Sequence, residues 1–169
     1  SADLLLVCLD VGQRPEGDEA YIAMFPVTQF EAHSVGKGTH RRQVRVIEDQ
    51  PEPYHIYAGE TLNIPGGWSS YPPHANAREA DTRFDQWQEC FFVVTPGYGV
   101  MHLDGYYTDA TRAEGVKLIS NGDAFATPLG SHPIVASPNN WLWYAWFYCG
   151  TAIEKSYNSR ATDVKTYVK

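Results

Sequence analysis

The sequence predicts an all-β sandwich or barrel. Short segments rich in β-branched and aromatic residues recur at 4–11, 21–24, 43–47, 61–64, 89–94, 99–102, 116–119, 123–126, 132–136 and 141–148. Gly, Pro, Asn or Asp punctuates nearly every gap between them, which is the chemistry that turns a chain from one strand to the next. No segment carries apolar residues at helical spacing for the roughly 12 residues a stable helix asks for. At 169 residues the chain has the length of one domain, enough to bury a core without a disulfide or a metal.

Individual connections follow from local chemistry. Ser120-Asn121-Gly122-Asp123 is predicted as a tight hairpin turn, because Asn and Gly tolerate the backbone angles it demands. Thr127-Pro128-Leu129-Gly130 supplies a sharp bend just before His132, with Pro fixing φ and Gly free to reverse it. The polar stretch 76–88 reads as a long loop, and 157–169 as a polar tail, loosely attached or used in assembly.

Composition excludes several functions. The formal charge is −7, and the densest basic stretch, 37–45, holds one Lys and three Arg, too little for a phosphate-binding stripe. No apolar run approaches the roughly 18 residues of a membrane span. The apolar start at 4–9 is short and lacks the basic flank and cleavage site of a signal peptide, so a cytoplasmic location is expected. Cys8, Cys90 and Cys149 sit in apolar stretches without CxxC spacing and are expected to be buried, reduced thiols.

The residues that promise chemistry are few. Pro72 and Pro73 hold the chain extended before His74, and Asn76, two residues on, shares its side of an extended strand. Glu89 opens an apolar strand and His132 follows the Pro128/Gly130 bend. Two imidazoles and a carboxylate inside a β-barrel suit a divalent metal with positions left for substrate. Singly, each has an ordinary structural explanation; the chemistry requires that they meet.

Several segments together resemble a known family. Gly59-Glu60-Thr61 and Pro65-Gly66-Gly67-Trp68-Ser69-Ser70-Tyr71-Pro72-Pro73-His74 are similar to the PxGxWSSYPPHxH segment of the 5-deoxy-glucuronate isomerase family of cupins, which the 5-keto-4-deoxyuronate isomerases share in looser form. Glu89-Cys90-Phe91-Phe92, Tyr107-Thr108-Asp109, the run from Asn121 to Pro133 and the aromatic strand 141–150 continue the likeness. Upstream, GKGTHRRQVRV at 36–46 resembles the approach to that domain. The resemblance covers about 36–150, and WSSYPPH is its most specific part.

The resemblance implies a cupin-type double-stranded β-helix, a jelly-roll barrel with little helix. It implies an N-terminal region at 1–35 packing on or extending the barrel, the barrel at 36–150 and a tail at 151–169. A metal (zinc, manganese or iron) is then expected on His74, Glu89 and His132. Asn76 stands where that family has a second histidine, and an amide oxygen is a weaker, harder donor than imidazole. Glu79, Asp81 or Asp85 in the following loop are candidates to replace it, though nothing in the sequence requires one.

The implied reaction is aldose–ketose isomerisation of an acidic deoxy-sugar through an enediolate, which needs a Lewis acid and a proton carrier. Asp109 and Tyr107 are the candidate proton carriers. Tyr71, Trp143 and the arginines Arg78, Arg83 and Arg112 are candidates for holding the sugar and its carboxylate. The alternative is a non-catalytic sugar-binding cupin, with Trp68, Tyr71, Trp141, Trp143, Tyr144 and Trp146 offering flat faces to the ligand. A metal-dependent oxygenase on the same barrel fits the motif spacing less well. That family has two cupin halves, and this chain matches the second, metal-bearing one, whether as a single-cupin relative or as a cut-down form. A lone barrel is expected to pair as a homodimer or higher oligomer through the surface its sister covers.

Overall fold

A computed structural model describes residues 30–47, 54–71, 73–75, 88–106, 112–127, 131–153 and 160–161. Among them are the strands β1 (His33–Val35), β2 (Arg42–Val46), β3 (Tyr54–Asn63), β4 (Trp68–Ser69), β5 (His74–Ala75), β6 (Gln88–Val94), β7 (Tyr98–Tyr106), β8 (Arg112–Ser120), β9 (Ala124–Thr127), β10 (Ile134–Ala136), β11 (Leu142–Ile153) and β12 (Arg160–Ala161). The helical content of these residues is one 3-10 turn, Gly38–His40. No helix among them is long and apolar enough to cross a membrane. The expected strands at 4–11 and 21–24, and most of the loop at 76–88, lie outside the described residues.

The strands form a six-stranded sheet in the order β1-β2-β3-β11-β6-β9 and a four-stranded sheet in the order β4-β10-β7-β8. Every pairing is antiparallel, including a small β12-β5 sheet in which Ala161 sits opposite His74. Six of the nine strand pairs among the described residues join strands that are not sequence neighbours, which is the mark of a jelly roll rather than a meander. The all-β cupin-type reading of the sequence holds.

Alternation sorts the long strands into an inner and an outer face. On β11, Leu142, Tyr144 and Trp146 are buried, whereas Trp143 and Phe147 between and beyond them are only partly so. On β6, Phe91 and Val93 are buried with Glu89. These inner residues meet Met101, Ile119, Ile134 and Ala136 of the four-stranded sheet to make the core. Two glycines make room for it. A Cβ on Gly59 would collide with the Trp146 ring, and one on Gly99 with the end of Leu142. The backbone here approaches large side chains that no other residue would admit.

Turn chemistry explains the connections, with one revision. In Ile64-Pro65-Gly66-Gly67 the Gly67 amide donates to the Ile64 carbonyl at 2.8 Å and Gly66 has φ +67°, the Pro-then-Gly pattern of a type II turn. At Ser120-Asn121-Gly122-Asp123 the Asp123 amide likewise donates to the Ser120 carbonyl at 3.1 Å. The turn is tight, but it closes no hairpin: β8 belongs to the four-stranded sheet and β9 to the six-stranded one. Gly122 has φ +82° while Asn121 is not left-handed, so the mirror-image hairpin turn is excluded. The Asn121 side chain instead accepts from the Thr95 amide at 3.0 Å, and the Gly122 amide donates to the Val93 carbonyl at 2.9 Å, docking the turn on β6.

Candidate functional site

The feature that stands out inside the barrel is an acid next to an imidazole. Glu89 opens β6, and alternation with Phe91 and Val93 turns it inward rather than to solvent. Its backbone carbonyl accepts from the Thr127 hydroxyl at 3.3 Å across the β6–β9 pair, which fixes the strand end. His132 enters just before β10 and is 1% exposed. His132 Nε2 lies 2.8 Å from Glu89 Oε2. The Phe91 ring stands edge-on to the imidazole, centroids 5.7 Å apart, and covers one side of it.

Two of the four residues expected at a metal thus meet. His74 lies on β5, and its side chain is outside the described residues, as is Asn76. Among the described residues no group of three His, Cys, Asp or Glu side chains is close enough to hold an ion. The pair itself fits a metal. Adjacent donors around an ion with ligand distances of about 2.1 Å stand roughly 3 Å apart, and imidazole with carboxylate suits zinc, manganese and iron.

The other expected residues are placed differently. Asp109, Tyr107, Arg78 and Arg83 lie outside the described residues, as does the Arg112 side chain. Tyr71 is 40% exposed and its ring leans on His40, 5.1 Å between centroids. Trp143 is not brought to the Glu89–His132 pair. It occupies the outer face of β11, where its indole nitrogen donates to Glu60 Oε2 at 3.0 Å. Of the other aromatic candidates, Tyr144 and Trp146 face inward, and Trp68 and Trp141 are exposed. Cys90 is half-buried on the outer face of β6 rather than fully buried.

A second polar group on the inner face was not singled out from the sequence. Arg42, Asn63 and Leu142 are cross-strand partners on β2, β3 and β11, and so are Val44, Thr61 and Tyr144. Thr61, Asn63, Ser69 and Tyr144 are all buried. Asn63 Nδ2 donates to Ser69 Oγ at 2.9 Å, and Trp146 Nε1 donates to Thr61 Oγ1 at 3.2 Å. Asn63 Oδ1 is buried with no hydrogen-bond partner, a situation that costs about 1–3 kcal/mol. Burial raises the Tyr144 pKa; hydrogen bonds with Ser69 and Thr61 work against that rise, the Glu89 charge adds to it, and Arg42 opposes it. The sequence did carry a signal for Arg42. Once Val44 and Val46 are assigned to the core, alternation puts Arg42 on the same face.

Comparison with known proteins agrees with this architecture. The model of the KduI/IolB family matches residues 11–166. The 5-deoxy-glucuronate isomerase of Geobacillus kaustophilus (strain HTA426) is 28% identical over 117 residues, 68% of this chain and 42% of that protein. That of Geobacillus thermodenitrificans (strain NG80-2) is 28% identical over 137 residues, 79% of this chain and 48% of that one. The chain spans about half the length of the curated relatives it matches. Among solved structures, an IolB-like protein from Salmonella typhimurium LT2 superposes with a TM-score of 0.66 at 18% identity, over 83% of this chain and 53% of that one. A cupin-2 domain from Rhodospirillum rubrum does so at 0.55 and 12% identity, over 87% and 85%. The structural likenesses establish a cupin fold, and the family match runs through nearly the whole sequence. On the strength of that family match, this chain belongs to the KduI/IolB family.

Proposed function

We propose that the barrel interior isomerises an acidic deoxy-sugar, of the 5-deoxy-glucuronate kind, between its aldose and ketose forms with the help of a divalent metal. The observation that carries the reading is the buried Glu89–His132 pair, 2.8 Å between donor atoms. A carboxylate and an imidazole enclosed by Phe91 and Thr127 are costly to bury, and a shared cation accounts for keeping them there. Glu89 and His132 supply two donors, and His74 is proposed as the third. A bound ion would polarise the sugar carbonyl as a Lewis acid. The chain's own part is to hold the sugar, exclude water and carry a proton between adjacent carbons through an enediolate. Tyr107 and Asp109 are proposed for the proton transfer, and the curated isomerases matched above supply the substrate class.

The test is metal content followed by turnover. Purified protein is expected to hold a divalent metal, lost in Glu89→Gln and His132→Gln, and to convert 5-deoxy-glucuronate in an NMR assay. Absence of metal from the parent protein after supplementation would sink the metal-dependent reading. Metal without turnover would leave the non-catalytic sugar-binding cupin in its place.

A further inference from the structure

We propose that Arg42 and Asn63 form the anchor for a hydroxy acid, the carboxylate end of a sugar acid, on the inner face of the barrel. This rests on the reading of the interior as a sugar-acid site and adds to it the residues that would select the acid. Arg42 and Asn63 are direct cross-strand partners, so their side chains leave the sheet on one face with Cβ atoms about 5 Å apart. That face is the inner one, because Leu142, next across from Asn63, is fully buried.

Each of the two lacks what the other's ligand would bring. Arg42 Nη1 donates to the His40 carbonyl at 3.1 Å, which leaves most of the guanidinium fork unused. The ion pairs among the described residues include Arg45–Glu60 and His132–Glu89, and none involves Arg42. It is nonetheless half-buried, and loss of solvent lowers its pKa from the ordinary guanidinium value, with Tyr144 opposing the shift. A cation placed there calls for an anion. Asn63 is wholly buried and its Oδ1 meets no donor. Turning the amide over would only exchange which end is unmet, since Ser69 Oγ is the partner of the other end. Ser69 also faces the Ile134 carbonyl at 3.4 Å, so its single proton is already contested.

A hydroxy acid answers both needs at once. Its carboxylate accepts from the Arg42 fork, and a hydroxyl close to it donates to Asn63 Oδ1. A neutral sugar supplies no anion, and a buried water would satisfy Asn63 while offering Arg42 no counter-charge. The sequence candidates for this role, Arg78, Arg83 and Arg112, all come from outside the β2–β3 pair.

The experiment is calorimetric titration of the full chain with D-glucuronate and D-glucose, on the parent protein and on Arg42→Gln, Arg42→Lys and Asn63→Leu. The parent is expected to prefer glucuronate. Arg42→Gln should weaken it about ten- to a hundredfold and leave glucose unaffected, with Arg42→Lys falling between, because a point charge replaces the fork. Asn63→Leu should weaken glucuronate about tenfold while raising the melting temperature, since it removes an unmet acceptor from the free protein. Melting curves and circular dichroism confirm that each variant is folded. If Arg42→Gln binds glucuronate as the parent does, the anchor is refuted and the sugar-acid reading survives. If the parent binds neither sugar, both fall. If Asn63→Leu melts lower with glucuronate affinity unchanged, Asn63 holds a buried water only and the hydroxyl contact is wrong.

Discussion

Two arginines on one strand live in opposite worlds. Arg45, on the outer face of β2, donates from Nε to the Phe30 carbonyl at 2.9 Å and pairs through Nη1 with Glu60. Glu60 in turn accepts from the Trp143 indole, so a surface network closes on itself. Arg42, three positions earlier and on the inner face, has no carboxylate beside it among the described residues. Around Arg45 the outer face of the six-stranded sheet thus satisfies its polar groups from within the chain. The inner face keeps Glu89 and His132 together, leaves Asn63 Oδ1 unmet and Arg42 without a carboxylate among the described residues, and otherwise mixes hydrocarbon with the hydrogen-bonded Thr61 and Ser69. A buried polar atom left without a partner asks for an explanation, and a ligand is one.

The hydrocarbon part of the inner face is where the largest loss is expected. Leu142 is fully buried and its end fills the space opposite Gly99. Leu142→Ala should therefore cost about 2–5 kcal/mol, read as a lower midpoint in urea unfolding with an unchanged slope. A loss below about 1 kcal/mol would mean that the two sheets are not packed through this residue.

The Glu89–His132 pair ranks next, and its effect should fall on binding. Glu89→Gln keeps the shape but removes a charged donor, so divalent-metal affinity should drop about a hundredfold or more by competition with a chelating dye. The folded state should persist by circular dichroism. Unchanged affinity would show that the ion, if bound, sits elsewhere.

How much of this was legible beforehand depends on length and period. β6 and β11 announce themselves by β-branched and aromatic runs and β2 by its valines, whereas only the 99–102 part of β7, the 116–119 part of β8 and the 61–63 end of β3 stand out from the sequence. β1, β4, β5 and β12 are only two or three residues long, too short to show a period of two. The Asn121-Gly122 turn was legible as a turn, but local chemistry does not say which sheet the next strand joins. Glu89 was legible as a candidate because WSSYPPH and the Glu-led aromatic strand pointed to a barrel site. Trp143 was misleading: 141–148 is aromatic or apolar almost throughout, so the sequence does not say which half faces in. Arg42 and Asn63 were passed over because single polar residues in short strands look like surface, and their inward aim comes from cross-strand register.

Tyr144 tests the border between the satisfied and open parts of the inner face. Tyr144→Phe removes its hydroxyl from Ser69 and Thr61 and should cost about 1 kcal/mol near neutral pH. The pH dependence gives a sharper reading. Burial raises the tyrosine's pKa in the folded protein. The folded state therefore holds the phenolic proton after the unfolded chain, titrating near pH 10, has begun to lose it. Stability from this group is complete below the unfolded value and lost as pH rises through the folded one. Melting curves from pH 8 to 11 should fall at the alkaline end for the parent and less for Tyr144→Phe. Parallel curves would place the hydroxyl in water instead.

The smallest effect is expected on the outer face, and its smallness is the point. Arg45→Met and Glu60→Gln each break the Arg45–Glu60 pair, whose side chains are 25% and 28% exposed. Water screens a pair in that position, and the methionine stem still covers the sheet, so each change should cost about 0–1 kcal/mol. The double variant should cost about the sum of the two single ones, because the coupling between the partly exposed charges is weak. Neither change should alter glucuronate binding, in contrast to Arg42→Gln on the same strand. If Arg45→Met weakened the sugar acid as much as Arg42→Gln does, the division of labour between the two faces would be lost. The loss would then trace to a shift of β2 as a whole. Urea midpoints for both variants, set beside their titrations, separate those outcomes: a displaced strand lowers stability and affinity together, whereas an anchor lowers affinity alone.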